Sequence, residues 1–164
     1  MGGAIAVVAS NAPMGWQLEL DQLMGLVSAE GFEAGRQWCE ANIEMVEAAA
    51  YPFSKKVINA WVASRAATLI TDGVRLNCIN PGPTDTAMMP HFLEFAGEID
   101  AFVGPIRRRS TPQEQAWPLV FLNSPRSSYV NAEALVTDGG FFGAVQSGQL
   151  DLSQLFAAPD TNET

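Results

Sequence analysis

This chain is poor in the residues that bind metals, grip polyanions or staple secreted domains. Among its 164 residues there is a single histidine, His91. With no second imidazole to share a zinc ion, that histidine is expected to be structural, and no metal is expected. Only two cysteines occur, Cys39 and Cys78. They belong to no C-x-x-C or Cys/His cluster, so they read as reduced, structural thiols of a cytoplasmic protein. Basic residues are scarce: nine Lys and Arg stand against 18 Asp and Glu, a formal charge of −9. Nucleic acid and anionic membrane both need a positive footprint, and neither is an expected partner here. No apolar run approaches the roughly 20 residues that span a bilayer. The opening "MGGAIAVVAS" has no basic flank before its apolar run, so it reads as a strand and not as a secretory leader.

What is present, at 48% apolar residues, is the composition of an ordinary globular domain with a core. "AIAVVA" at 4–9 has the pattern of a strand buried on both faces. Between 19 and 49 the texture changes to helix formers, split by Gly31 into a helical pair expected near 19–30 and 33–49. A stronger helix follows, with Pro52 in its first turn, Phe53, Val57, Ala60, Trp61, Ala67 and Ile70 on repeating turns, and Gly73 as its stop. "VRLNCIN" at 74–80 is the next strand and runs into "PGPTDT". Residues 87–105 read as irregular with one short helix. "FLEFAGEIDAFVGP" within them is a substrate lid or a loop held in the core by its phenylalanines, and no binding residue is assigned from it. "STPQEQAWPLVFLNS" opens with a Ser/Thr cap and Pro112, which predicts a helix over 112–124. "EALVTDGG" at 133–140 is the last strand, ending in a glycine turn, and the polar "APDTNET" is expected to be disordered. No repeat or linker divides the chain, which reads as one domain over 1–150 and a tail over 151–164.

Strand, helix, strand, helix, strand is a parallel α/β layout. Ligands in such sheets bind beyond the carboxyl ends of the strands. Ser10, "PGPTDT" and "TDGG" each lie just past a strand, and Tyr51 starts the helix between the first two. Polar groups therefore converge on one rim. On a helix, Tyr51 and Lys55 share a face. A phenol is a poor base at neutral pH, and a neighbouring ammonium helps by stabilising the phenolate. A hydroxyl from Ser10 would hold a carbonyl oxygen and share its developing charge. No nucleophilic mechanism is indicated, because Ser10 has no His or Asp partner in the pattern. Taken alone, Y-x-x-x-K is a common accident of a helix surface; the serine and the Pro-Gly turn at the neighbouring strand ends favour a site.

These segments together resemble the short-chain dehydrogenase/reductase family. "YPFSKK" is similar to its Tyr-x-x-Ser-Lys segment, "VRLNCINPGPTDT" to its Asn-x-x-x-Pro-Gly-x-x-x-Thr strand end, "VTDGG" to its closing strand and "VVASNA" to the strand that delivers its serine. The resemblance implies a partial Rossmann-like doubly wound parallel sheet, its last three strands with their helices. It implies hydride transfer between NAD or NADP and an alcohol or ketone substrate. Tyr51 would be the acid/base, Ser10 would orient the substrate oxygen, and Lys55 would assist Tyr51 and hold the nicotinamide ribose. Pro81, Gly82, Thr84 and Thr86 would contact the carboxamide and a nearby phosphate. Ser10 and Tyr51 lie 41 positions apart, further than in most of the family. The inserted helical pair that separates them resembles bacterial 3α-hydroxysteroid and coniferyl-alcohol dehydrogenases, and is expected beside the substrate mouth or at a subunit contact.

The family's Gly-rich pyrophosphate turn has no counterpart in this sequence. The chain therefore resembles the carboxyl-terminal half of a dehydrogenase, and is expected to be inactive in isolation. Three readings follow: part of a longer enzyme, a truncated chain pairing through an exposed strand edge with itself or another polypeptide, or a non-catalytic interaction module. The family's habit of dimers and tetramers makes a homo-oligomer the expectation.

Overall fold

The structure, a computed structural model, describes residues 2–12, 15–96 and 99–155. Three strands form one parallel sheet in the order β1 (Ala4–Val8), β2 (Arg75–Pro81), β3 (Ala134–Thr137). In register, Ala4 lies beside Arg75 and Val8 beside Ile79, while Cys78 lies beside Ala134 and Pro81 beside Thr137. β2 is the central strand, and its residues from Arg75 to Asn80 are all buried. That burial explains why the strand is apolar apart from Arg75, Asn77 and Asn80, since a buried polar group needs a partner indoors; the Asn80 side-chain oxygen has none among the described residues. The Asn77 amide finds partners at both ends, donating to the Val130 carbonyl at 3.1 Å and accepting from the Glu133 amide at 3.0 Å.

One face of the sheet is covered by α4 (Ala50–Leu69), whose Val62 and Ala66 pack on Leu76 and Cys78. The other is covered by α6 (Pro112–Asn123), which lies over β1 and β2 and buries Leu122. Cys78 is fully buried with its thiol against the Asn59 side-chain oxygen at 3.1 Å, and burial pushes that thiol up to about 12. It is an inert core residue, and Cys39 is likewise free.

The inserted segment holds three helices where the sequence suggested two: α1 (Leu20–Val27), α2 (Gly31–Ala41) and α3 (Ile43–Ala48). They pack on the side of α4 away from the sheet, where Leu23, Phe53 and Ala60 are buried with Trp38, Met45 and Val57 around them. Trp38 stacks on Phe53 with ring centres 6.2 Å apart, and Lys56 of α4 pairs with Glu19 at the start of the insertion. α4 is thus sandwiched, which accounts for apolar residues around its whole circumference.

α5 (Met89–Ala96) follows β2, and two short helices, α7 (Phe141–Gln146) and α8 (Leu152–Leu155), follow β3. The sequence "APDTNET" lies outside the described residues. β3 is shorter than its pattern suggested because Asp138 turns the chain: its carboxylate accepts from the amides of Gly140 and Phe142 and starts α7. No helix among the described residues is long and apolar enough to cross a membrane.

α6 begins as its sequence predicts. Thr111 accepts from the Glu114 amide, and Glu114 accepts from the Thr111 amide at 2.8 Å, a reciprocal cap. The Arg108 guanidinium grips the same carboxylate and, with the Thr111 amide, holds the Glu114 carboxyl down to about 2 from an ordinary 4.5. A depressed folded-state value means that this stabilisation is complete above pH 4.5 and vanishes as pH falls toward 2. Glu114→Gln is therefore expected to lower the melting temperature at pH 6, with the gap to wild type closing on acidification through that window. Circular-dichroism melts at stepped pH check it; a gap independent of pH would contradict the assignment.

Candidate active site

The carboxyl ends of the three strands open into a cleft of about 720 Å³. Ser10 enters it because the pairing of β1 with β2 continues past the strand: Ala9 donates to the Ile79 carbonyl and Asn11 to the Pro81 carbonyl, both at 2.9 Å. Ser10 is 7% exposed, and its hydroxyl oxygen accepts from the Ala12 amide at 3.1 Å. Among the described residues nothing accepts its proton, which is free to be donated into the cleft.

Tyr51 enters from the first turn of α4. Its ring meets Phe92 of α5 edge-on, with centres 5.2 Å apart, and its hydroxyl has no partner among the described residues. One turn later, the Lys55 ammonium lies 5.6 Å from the centre of the Tyr51 ring and donates to the Val8 carbonyl at 3.5 Å. No carboxylate pairs with Lys55 among the described residues, and it is the one charged residue lining the cleft there.

The turn that ends β2 forms the opposite wall. The Gly82 amide donates to the Thr137 carbonyl at 3.1 Å, and a Cβ at Gly82 would stand 2.9 Å from the Asp138 Cα. Only glycine allows β2 and β3 to leave the sheet so close together. The Thr84 hydroxyl is taken up internally, donating to the Gly82 carbonyl at 3.0 Å and lying 2.8 Å from the Ser110 hydroxyl. Thr86 is exposed, and its hydroxyl is unspent among the described residues.

Ser10, Tyr51, Lys55, Pro81, Gly82, Thr84 and Thr86 all line this one cleft. Sequence reasoning missed its apolar walls. Met88, Met89, Phe92 and Phe102 line it, Phe92 against Tyr51 and Phe102 tilted on Phe141 of α7 at 5.4 Å. Phe92 and Phe102 thus pin the 87–105 segment to the body and wall the cleft at once; the density of phenylalanine in a stretch otherwise without period was the available signal. The insertion, by contrast, contributes no described residue to the lining. Among the described residues no cluster of His, Cys, Asp or Glu is placed to hold a metal ion.

Residues 38–142 match the family described as enoyl-(acyl carrier protein) reductase, a branch of the short-chain dehydrogenases/reductases. The chain belongs to the short-chain dehydrogenase/reductase family. Every cleft residue named from the sequence except Ser10 falls within that match. Among curated family members, a 3-alpha-hydroxysteroid dehydrogenase/carbonyl reductase of Comamonas testosteroni is 39% identical over 61% of this chain and 40% of its own length. A coniferyl-alcohol dehydrogenase of a Pseudomonas species is 29% identical over 85% of this chain and 55% of its own length. The chain thus spans about half the length of the curated relatives it matches. The crystal structure of a 3-alpha-hydroxysteroid dehydrogenase from Pseudomonas sp. B-0831, complexed with NADH, superposes with a TM-score of 0.72 over 90% of this chain and 58% of that one. At 24% identity, that likeness shows the shared fold.

Proposed function

We propose that this chain carries the acid/base machinery of an NAD(P)-dependent oxidoreductase acting on a secondary alcohol or ketone, hydroxysteroid- or aryl-alcohol-like in bulk. The observation that carries this reading is the convergence of Ser10, Tyr51, Lys55 and the 81–86 turn on one apolar-walled cleft. The named relatives are a hydroxysteroid dehydrogenase/carbonyl reductase and a coniferyl-alcohol dehydrogenase, and a cleft whose one charge among the described lining residues is Lys55 suits an uncharged, apolar substrate.

The groups present suit the nicotinamide end of NAD or NADP. Lys55, free of any carboxylate among the described residues, and Thr86, with an unspent hydroxyl, offer donors for ribose and phosphate oxygens. The backbone at Pro81 and Gly82 faces the same space. Thr84, its proton committed to internal acceptors, is left to contribute through its backbone. A nicotinamide held there would supply or accept the hydride. Ser10 donates to the substrate oxygen, its hydroxyl aimed by the bond from Ala12. Tyr51 gives that oxygen a proton in reduction and takes one in oxidation. Lys55 stabilises the phenolate that remains, acting at short range in a cleft poor in other charge. Phe92 packs edge-on against the tyrosine ring and limits its rotation.

Titration of the chain with NADH and with NADPH, exciting tryptophan and reading dihydronicotinamide emission, tests the reading. Emission should rise with half-saturation below millimolar concentration for at least one of them. No rise up to millimolar would favour a second reading, a non-catalytic module that associates with a second copy or another chain. That reading draws on the edge of β1 that no described strand covers, where Ile5 and Val8 are 41% and 47% exposed, and on the exposed Trp117 of α6.

A further inference from the structure

The turn that walls the cleft is held from behind, and the bonds that hold it converge on one side chain, Gln115 of α6. Its amide nitrogen donates to the Ser110 hydroxyl at 2.9 Å and to the Thr137 carbonyl at 3.0 Å, and its oxygen accepts from the Thr137 hydroxyl at 2.6 Å. Both amide hydrogens are thereby used, and the orientation is forced, because a carbonyl can only accept. The same Thr137 carbonyl accepts from Gly82, so the end of β3, the second turn of α6 and the start of the 82–85 turn meet at one oxygen. Ser110 carries the link onward. Its hydroxyl touches Thr84 at 2.8 Å, its amide donates to the Pro83 carbonyl at 2.9 Å, and its carbonyl accepts from Asp85 at 2.8 Å.

Behind the turn lies a second cavity of about 250 Å³, bordered by Gly82, Pro83, Ser110, Thr137 and Asp138. Gln115 borders this cavity and the main cleft alike, so it stands as a strut in their partition. Without the strut the turn has room to sink away from Tyr51.

We propose that Gln115 is a positioning residue: it fixes the depth of the 81–86 turn and, through it, the placement of a nicotinamide ring opposite Tyr51. The second half of that statement rests on the reading of the cleft given above; the first half does not. Gln115→Leu keeps the bulk and removes every bond. Gln115→Glu keeps the shape but, as a carboxylate, sets an acceptor against the Thr137 carbonyl.

Two measurements on the full chain test it. In ligand-free amide exchange, both variants should speed exchange at Gly82, Asp85 and Ser110 by about tenfold, while Ala9 and Cys78, bonded within the sheet, keep the wild-type rate. In titrations, both should bind NADH about tenfold more weakly, with a changed emission maximum of the bound dihydronicotinamide. Unchanged exchange at the three turn amides overturns the proposal, as does an increase spread evenly over the sheet. Unchanged NADH affinity and bound-state emission in both variants overturn the ring-placing role. If wild type binds neither NADH nor NADPH, the reading of the cleft fails and the ring-placing role with it, while the exchange experiment still decides whether Gln115 holds the turn.

Discussion

In any assembly of this chain that reduces a bulky apolar ketone with NAD(P)H, Tyr51→Phe is expected to slow turnover by roughly 100- to 10,000-fold, the range a positioned proton donor contributes. Cofactor affinity should change little, because the substitution removes one oxygen and leaves the ring against Phe92 and beneath Lys55. The contrast with Lys55→Met makes the prediction specific. Lys55 serves both the phenolate and the cofactor in this scheme, so its loss should depress turnover and weaken NADH binding together. Steady-state rates paired with fluorescence titrations separate the two patterns. A Tyr51→Phe chain that turns over like wild type would remove Tyr51 from the chemistry, and the cleft would need another proton donor. Among its described lining residues the hydroxyl candidates are Ser10 and Thr86, neither with a neighbouring cation as well placed.

The positions of these groups were legible in the sequence because each is tied to a local signal. Ser10 and Pro81 follow strands whose apolar runs are unmistakable, and Tyr51 sits where Pro52 marks a first helical turn. Parallel pairing then brings strand ends together without further information: once Val8 lies beside Ile79, Ser10 must lie beside Pro81. The capping box at Thr111 is likewise written in four residues. What was not legible depends on partners far away in the chain. The break between α2 and α3 falls at Asn42, whose side chain bonds back to the Trp38 carbonyl at 2.8 Å. It contains neither Gly nor Pro, so helical texture reads straight through it. Gln115 looks like any polar residue on a helix until Ser110, Thr137 and Thr84 are seen around it. The cleft walls escaped for a similar reason: Phe92 and Phe102 lie in a segment with no period, and their faces are chosen by Tyr51 and Phe141.

Arg75 is the other residue whose weight only the structure reveals, and its removal should produce the largest loss of stability. It is 8% exposed in the central strand and has no carboxylate partner among the described residues. Its guanidinium donates instead to the carbonyls of Leu122, Ser124 and Val130, at 3.0, 3.1 and 3.2 Å, and to the Ser127 hydroxyl at 2.9 Å. Leu122 and Ser124 lie at the end of α6, where carbonyls lack helical partners and the helix dipole is negative. The buried charge is thus balanced by a helix terminus in place of an anion, and it ties α6 and the 124–130 connection to the sheet. Arg75→Met removes four hydrogen bonds from a charged donor, each worth about 1.5–3 kcal/mol, although the Val130 carbonyl keeps the Asn77 amide and the Leu122 and Ser124 carbonyls keep the Ser127 hydroxyl. Entry of water would recover part of this, so a net loss of roughly 3 kcal/mol is expected, a large share of the 5–15 kcal/mol typical of a domain. Arg75→Lys keeps the charge but not the fork, and should recover less than half of the loss. Urea midpoints measure both; a Met variant within about 0.5 kcal/mol of wild type, the scatter of ordinary surface substitutions, would mean that the guanidinium is replaceable by water and that α6 is anchored by Leu122 alone.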